Sequence, residues 1–199
     1  MQVVSEPIEY IKRTCSLSTA NVPLYYYVML SQLPIAEVLD FVTTEYRYWN
    51  KKNCYGLMDV MSIKLARIIR FDSTLSVAEK IERLELMAEA FAEMSKQKDL
   101  ECFCIGEKSI YSILAGMLTA DNAPIDDVIR IREKQFASME RIMKLAETDD
   151  VLKEQIKSTY KSDDMVAWEL NRLLNSPHSQ FAKLRENKKY LEMLNKWVR

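Results

Sequence analysis

The chain has 199 residues, 48% of them hydrophobic and 29% charged, with a net charge of −1 at neutral pH. That much apolar material excludes a disordered chain. The near-zero charge excludes a global field that would recruit nucleic acid or an anionic membrane. Only Gly56, Gly106 and Gly116 supply glycine, too little for the hairpin turns of a β-rich fold. Together with abundant Leu, Ala, Glu, Lys and Met, this predicts an all-α protein: an irregular, orthogonal array of about 8–10 helices in a single domain over 1–199.

The elements follow from apolar spacing and from capping residues. Ser5-Glu6-Pro7 predicts a short helix to Thr14, since proline is tolerated in a first turn. The polar joint Ser16–Asn21 leads to a second helix from Pro23 to Leu33. Pro34 opens a third over 35–52, whose stripe Ile35, Val38, Leu39, Val42, Tyr46 and Trp49 follows a 3.6-residue period. A fourth covers Cys54–Phe71, with Leu57, Met58, Met61, Leu65, Ile68 and Ile69 facing inward. Asp72-Ser73-Thr74 stops it.

Ser76-Val77-Ala78-Glu79 is a capping box, in which hydroxyl and carboxylate each take an orphan backbone N–H. Its helix runs to Lys96 and buries Ile81, Leu84, Met87 or Ala88, and Phe91. Gln97–Gly106 reads as an apolar linker, and Glu107–Leu118 as a short, very apolar helix. Thr119–Pro124 is the clearest loop and the candidate domain boundary. Ile125–Glu147 is a long amphipathic helix facing the core with Val128, Ile129, Phe136, Met139, Met143 and Ala146. Thr148-Asp149-Asp150 caps a helix to Tyr160, and Ser162-Asp163-Asp164 caps another to Asn175. One final helix spans Gln180–Val198. The core expected from these stripes is Leu39, Val42, Met61, Leu65, Leu84, Ile113, Leu114, Phe136, Met139 and Leu170.

Chemical motifs are scarce. Cys15, Cys54, Cys102 and Cys104 include a Cys-x-Cys pair of poor zinc spacing, and His178 is the single histidine. Reduced thiols are expected, with no metal, no cofactor and no catalytic residues. Glu79, Glu82, Glu85, Glu89 and Glu93 fall at helical spacing but lack the histidines that complete carboxylate metal sites in bundles. The longest apolar run, Val22–Leu30, is nine residues, against the roughly 20 needed to span a bilayer. The stretch MQVVSEPIEYIKR lacks the basic start and apolar centre of a secretory leader, so a cytoplasmic location is expected.

Two features bear on function. Tyr25, Tyr26, Tyr27, Phe41, Tyr48 and Tyr55 form an aromatic-rich region. Phe41 and Tyr48 share a helix side that the stripe through Val42, Tyr46 and Trp49 does not use. Such a surface suits a protein partner or self-association, because Tyr and Trp offer area at little rotamer cost. Packing of a central helix on both sides accounts for the same pattern. Lys183, Arg185, Lys188, Lys189, Lys196 and Arg199 make the last helix basic, as in nucleic-acid binders, although cations also suit a helix C-terminus. The leading reading is a non-enzymatic interaction or regulatory protein. A nucleic-acid-binding protein is the alternative, and a helical enzyme with an apolar core pocket lined by Tyr25–Tyr27 is a third.

The double change Phe41→Ser, Tyr48→Ser is expected to weaken association and keep the helix content, each ring contributing ~2 kcal/mol at an interface. Sedimentation velocity and thermal melting check this. A monomeric wild type and a variant that merely melts earlier would return both rings to internal packing.

Overall fold

The computed structural model describes residues 34, 36, 37, 40, 51–97 and 100–198. The helices expected over 7–14 and 23–33, most of that over 35–52, and the core positions Leu39 and Val42 lie outside these residues. From Lys51 onward the order is α1 (Lys51–Phe71), α2 (Val77–Met94), α3 (Phe103–Ala120), α4 (Ile125–Ala146), α5 (Asp150–Tyr160), α6 (Met165–Asn175), α7 (Ser179–Arg185) and α8 (Lys188–Asn195). No strand occurs among the described residues, and the protein is all-α. Two compact units divide it, 1–110 and 111–199. The division falls inside α3, between Ile110 and Tyr111, and the loop at 119–124 belongs to the second unit.

In the first unit α1 packs on α2 through Met58, Met61, Leu65 and Ile69 on one side and Leu84, Met87, Ala88 and Phe91 on the other, all buried. Both Met87 and Ala88 face inward, and Ile68 and Ile81 are only partly covered. The turn between the helices is an Asx turn: the Thr74 amide donates to Asp72 Oδ1 at 2.8 Å. The capping box then forms as spaced in the sequence. The Glu79 amide donates to Ser76 Oγ at 3.3 Å, and the Ser76 amide donates to Glu79 Oε2 at 2.7 Å. The Ser76 hydroxyl also donates to that carboxylate and holds Glu79 below the usual carboxylate range. A depressed folded-state pKa means that the cap's contribution is full above the unfolded value of 4.5 and is lost as pH falls through the folded one.

The expected linker is shorter than its composition suggests. Helix α3 begins at Phe103, four residues before the predicted start, and Cys102, Phe103, Cys104 and Ile105 are all buried. The end of the stretch that reads as an apolar linker is the first turn of α3. Phe103 meets Phe91 edge to face at 5.3 Å. Gly106 sits directly against Phe91 and the Ser62 hydroxyl, where a Cβ would come under 3.0 Å from both. Lys108 Nζ reaches Asp59 Oδ1 at 3.2 Å, and the Ser109 hydroxyl donates to the same oxygen.

In the second unit α4 is the axis on which α5, α6 and α8 pack. Helix α3 is closed off by Asn122, two residues past its end, with φ 52°, a left-handed conformation that asparagine tolerates, and the Ala123 amide closes onto Leu118 O at 2.9 Å. Asp149 and Asp164 cap α5 and α6 by accepting from two backbone amides each. The single C-terminal helix expected over 180–198 is instead two, α7 and α8. Asn187 makes the break, its side chain accepting from the Tyr190 amide at 3.2 Å as an N-cap. The change of direction lets Phe181 and Leu184 be buried from α7, and Tyr190, Met193 and Leu194 from α8.

Besides Ile68 and Ile81, three predicted inward positions are corrected: Ile113, Ile129 and Met143 are only half-buried. On α4 the covered arc is broader than the apolar stripe. It takes in Ile131 and Ile142 together with the polar Arg132, Gln135 and Ser138. The other described core positions, Met61, Leu65, Leu84, Leu114, Phe136, Met139 and Leu170, are buried as expected.

The two helical glycines of α3 should respond in opposite directions. Gly106→Ala forces Phe91 or Ser62 to move and should destabilise by roughly 1–3 kcal/mol. A Cβ at Gly116 meets nothing within 4 Å, so Gly116→Ala should stabilise by about 0.5–1 kcal/mol through helix propensity. Urea unfolding of the two variants checks the opposite signs.

Candidate functional site

The densest chemistry of the second unit lies where α4, α6 and α8 meet. Val128, Arg132 and Phe136 recur every four residues on α4, and Met165, Glu169 and Leu173 do so on α6. Each apolar row is therefore interrupted by one charge, and the two charges meet. Arg132 is 1% exposed and Glu169 is 2% exposed. Arg132 Nη1 donates to Gln135 Oε1 at 2.6 Å and to Glu169 Oε1 at 3.3 Å. Gln135 Nε2 donates to the same Glu169 oxygen at 3.3 Å. From α6 itself, Arg172 closes a fork on the carboxylate, Nε to Oε2 and Nη2 to Oε1, each at 2.6 Å.

One carboxylate thus serves two guanidiniums. The Glu169 hydrogen bonds raise the pKa of Arg172 further. Burial pushes the Tyr190 phenol above its usual range, and the charge of the neighbouring Arg132 opposes that shift. Arg132 Nε, the Tyr190 hydroxyl and Trp197 Nε1 are buried donors with no acceptor. Trp197 stacks on Phe136 at 5.2 Å.

The outer end of this network is a surface. Arg172 Cζ lies 5.3 Å from the Phe181 ring centroid and 5.9 Å from that of Trp168. Trp168 is 37% exposed and meets Tyr160 edge to face at 5.1 Å. Glu169 fixes the guanidinium, so the indole rests on an ordered frame. Composition hid this place. A tryptophan beside a glutamate in a capped helix reads as core, and the signal that could have found it is the pair of charged interruptions in the apolar rows of α4 and α6.

The residues singled out in the sequence are placed differently. Tyr25, Tyr26, Tyr27, Phe41 and Tyr48 lie outside the described residues, and Tyr55 is buried at 7% exposure in the first unit. Of the basic set, Arg199 is likewise outside. Lys189 pairs with Asp126 at 3.0 Å and Lys196 with Glu133 at 2.8 Å, both on α4, and Lys188 lies 3.6 Å from Glu192. Arg185 donates to the carbonyls of Leu173 and Ser176 at the end of α6, at 3.1 and 3.0 Å. Lys183 lines a cleft of about 450 Å³ with Thr119, Asn122, Ile125, Gln180 and Asn187.

Among the described residues no group of three His, Cys, Asp or Glu side chains is placed to hold a metal ion, and no helix is long and apolar enough to cross a membrane. In comparisons with known proteins the chain matches no family model, no curated protein and no solved structure.

The two charges of the core pair should not be equivalent. Glu169→Gln strands Arg132 in the interior without a counter-ion and should cost about 3–5 kcal/mol. Arg132→Met fills a similar volume and leaves Glu169 paired with Arg172, so it should cost less than about 2 kcal/mol. Denaturant midpoints at unchanged slope give the order, and equal losses would mean that Arg172 does not stabilise the carboxylate.

Proposed function

We propose that this chain is a non-enzymatic α-helical interaction protein that docks a protein partner on an aromatic-rich surface. The observation that carries the reading is Trp168, more than a third exposed and held between Tyr160 and an Arg172 that is itself locked by Glu169. Trp, Tyr and Arg are the residues enriched at interface positions that dominate binding, and a pre-ordered side chain loses little entropy when a partner covers it. A regulatory role in the cytoplasm accords with this reading and with Cys102 and Cys104 being buried in the interior. The nucleic-acid alternative draws less support, because Lys188, Lys189 and Lys196 already have carboxylates and Arg185 has backbone carbonyls.

Site-specific photo-crosslinking in cells tests the proposal. A benzophenone amino acid at position 168 is expected to give a discrete protein adduct. The same group at Leu86, 48% exposed on α2, serves as the control and should give none. Equal diffuse labelling from both positions, or an adduct to nucleic acid at 168, would overturn it.

A further inference from the structure

We propose that α1 of one copy of this chain docks on α2 of a second copy, a basic helix face laid against an acidic one, so that copies associate head to tail. The contact belongs to the first unit and uses none of the residues around Trp168.

Exposed apolar side chains concentrate on these two helices. Of the six large apolar residues exposed among the described ones, Val60, Phe71, Val77 and Leu86 lie on α1 and α2, and Phe71 is 72% exposed. Clustering of this kind marks an interaction surface, where scattered single residues do not. Val60, Lys64, Arg67 and Phe71 follow one another at intervals of four, three and four residues, which puts them on one stripe of α1. The stripe lies on the side away from the buried Met58, Leu65 and Ile69. It contains no carboxylate. Asp59, the one acidic residue of α1, is off the stripe and bonded to Lys108 and Ser109. Arg70 lies over the Phe71 ring at 5.3 Å and adds to the same sign.

The outer stripe of α2 has the opposite sign. Glu79, Glu82, Leu86, Glu89 and Glu93 recur at intervals of three and four, away from the buried Leu84, Ala88 and Phe91. Leu86 sits between Glu82 and Glu89, and all three are exposed. Glu79 closes the capping box, and Glu93 pairs with Lys96 at 2.5 Å. The two cations of α2, Lys80 and Arg83, lie toward the turn. There, after the Thr74 hydrogen bonds, their charges hold the Asp72 carboxylate below its usual range.

These signs select the occupant. Laying α1 on α1 of another copy brings cations together, and laying α2 on α2 brings glutamates together. Only α1 against α2 sets Arg67 among glutamates and lets Phe71 and Leu86 cover apolar surface. Each copy carries one face of each kind. The contact is therefore heterologous, and it repeats from copy to copy instead of closing as a two-fold pair. One helix laid on another is a small interface, so the Kd is roughly 0.1–1 mM. At micromolar abundance Leu86 stays uncovered, in keeping with its use as the crosslinking control, and the contact fills where chains are crowded together.

Sedimentation velocity of the full-length protein tests this. From about 10 µM to about 1 mM at low salt, the weight-average sedimentation coefficient should rise, and about 0.3 M salt should return it to the monomer value. Phe71→Ser and Leu86→Ser should each stay monomeric at about 1 mM. Mixed in equal amounts, they should form a one-to-one complex and nothing larger, because each keeps one intact face. Arg67→Glu should also be monomeric, and adding Glu82→Arg to the same chain should restore association, a rescue that a folding defect would not show. A wild type that remains monomeric at low salt overturns the proposal. So does a Leu86→Ser variant that associates like the wild type, which would mean α1 pairs with itself. Failure of the mixture to associate overturns it as well, as does a single-stranded oligonucleotide that binds through Arg67 at micromolar concentration.

Discussion

The second unit is organised around one shared carboxylate. Burying a single charge is prohibitive, and burying a bare ion pair is often no better than burying hydrocarbon. Glu169 avoids both problems by accepting four hydrogen bonds from Arg132, Gln135 and Arg172. Its contribution is directional. Apolar contacts would let α6 rotate or slide along α4 at little cost, whereas Glu169 is satisfied only in the register that places Oε1 between Arg132 and Gln135. The same register places Arg172 at the rim, so the surface around Trp168 inherits its geometry from the interior. Arg132, Tyr190 and Trp197 each bury a donor without an acceptor, polar groups that hydrophobic packing alone would not require.

Most of the described helices were legible, for reasons that can be named. Asp149, Asp164 and the Ser76–Glu79 box carry their own hydrogen-bonding instructions within three residues, so those helix starts needed no tertiary information. The turn at 119–124 was equally plain, since Asn122 can adopt a left-handed backbone and Pro124 cannot continue the preceding helix. What was misread depended on packing. Nothing local distinguishes Cys102–Ile105 as helix from the same residues as linker, and burial beside Phe91 decides it. The break before α8 has no glycine or proline to mark it. Asn187 acts as a cap only because Arg185 and Tyr190 are drawn to different neighbours.

The candidate site was hidden for the opposite reason. Apolar periodicity treats a charged residue in a stripe as noise, so Val128 and Phe136 were assigned inward and Arg132 between them was not. The rule omits that two such interruptions, of opposite sign and on different helices, can cancel by meeting. The aromatic count pointed toward residues 25–55. The exposed ring that the structure frames is Trp168, which composition could not single out among three tryptophans.

Arg185 has a further consequence. It fastens α7 to the end of α6 by giving its guanidinium to two backbone carbonyls. The fastening is a charge-assisted donation to uncharged acceptors, so it uses no carboxylate to hold the short helix. Phe181, which backs Arg172, is therefore carried on a helix whose fastening does not draw on Glu169.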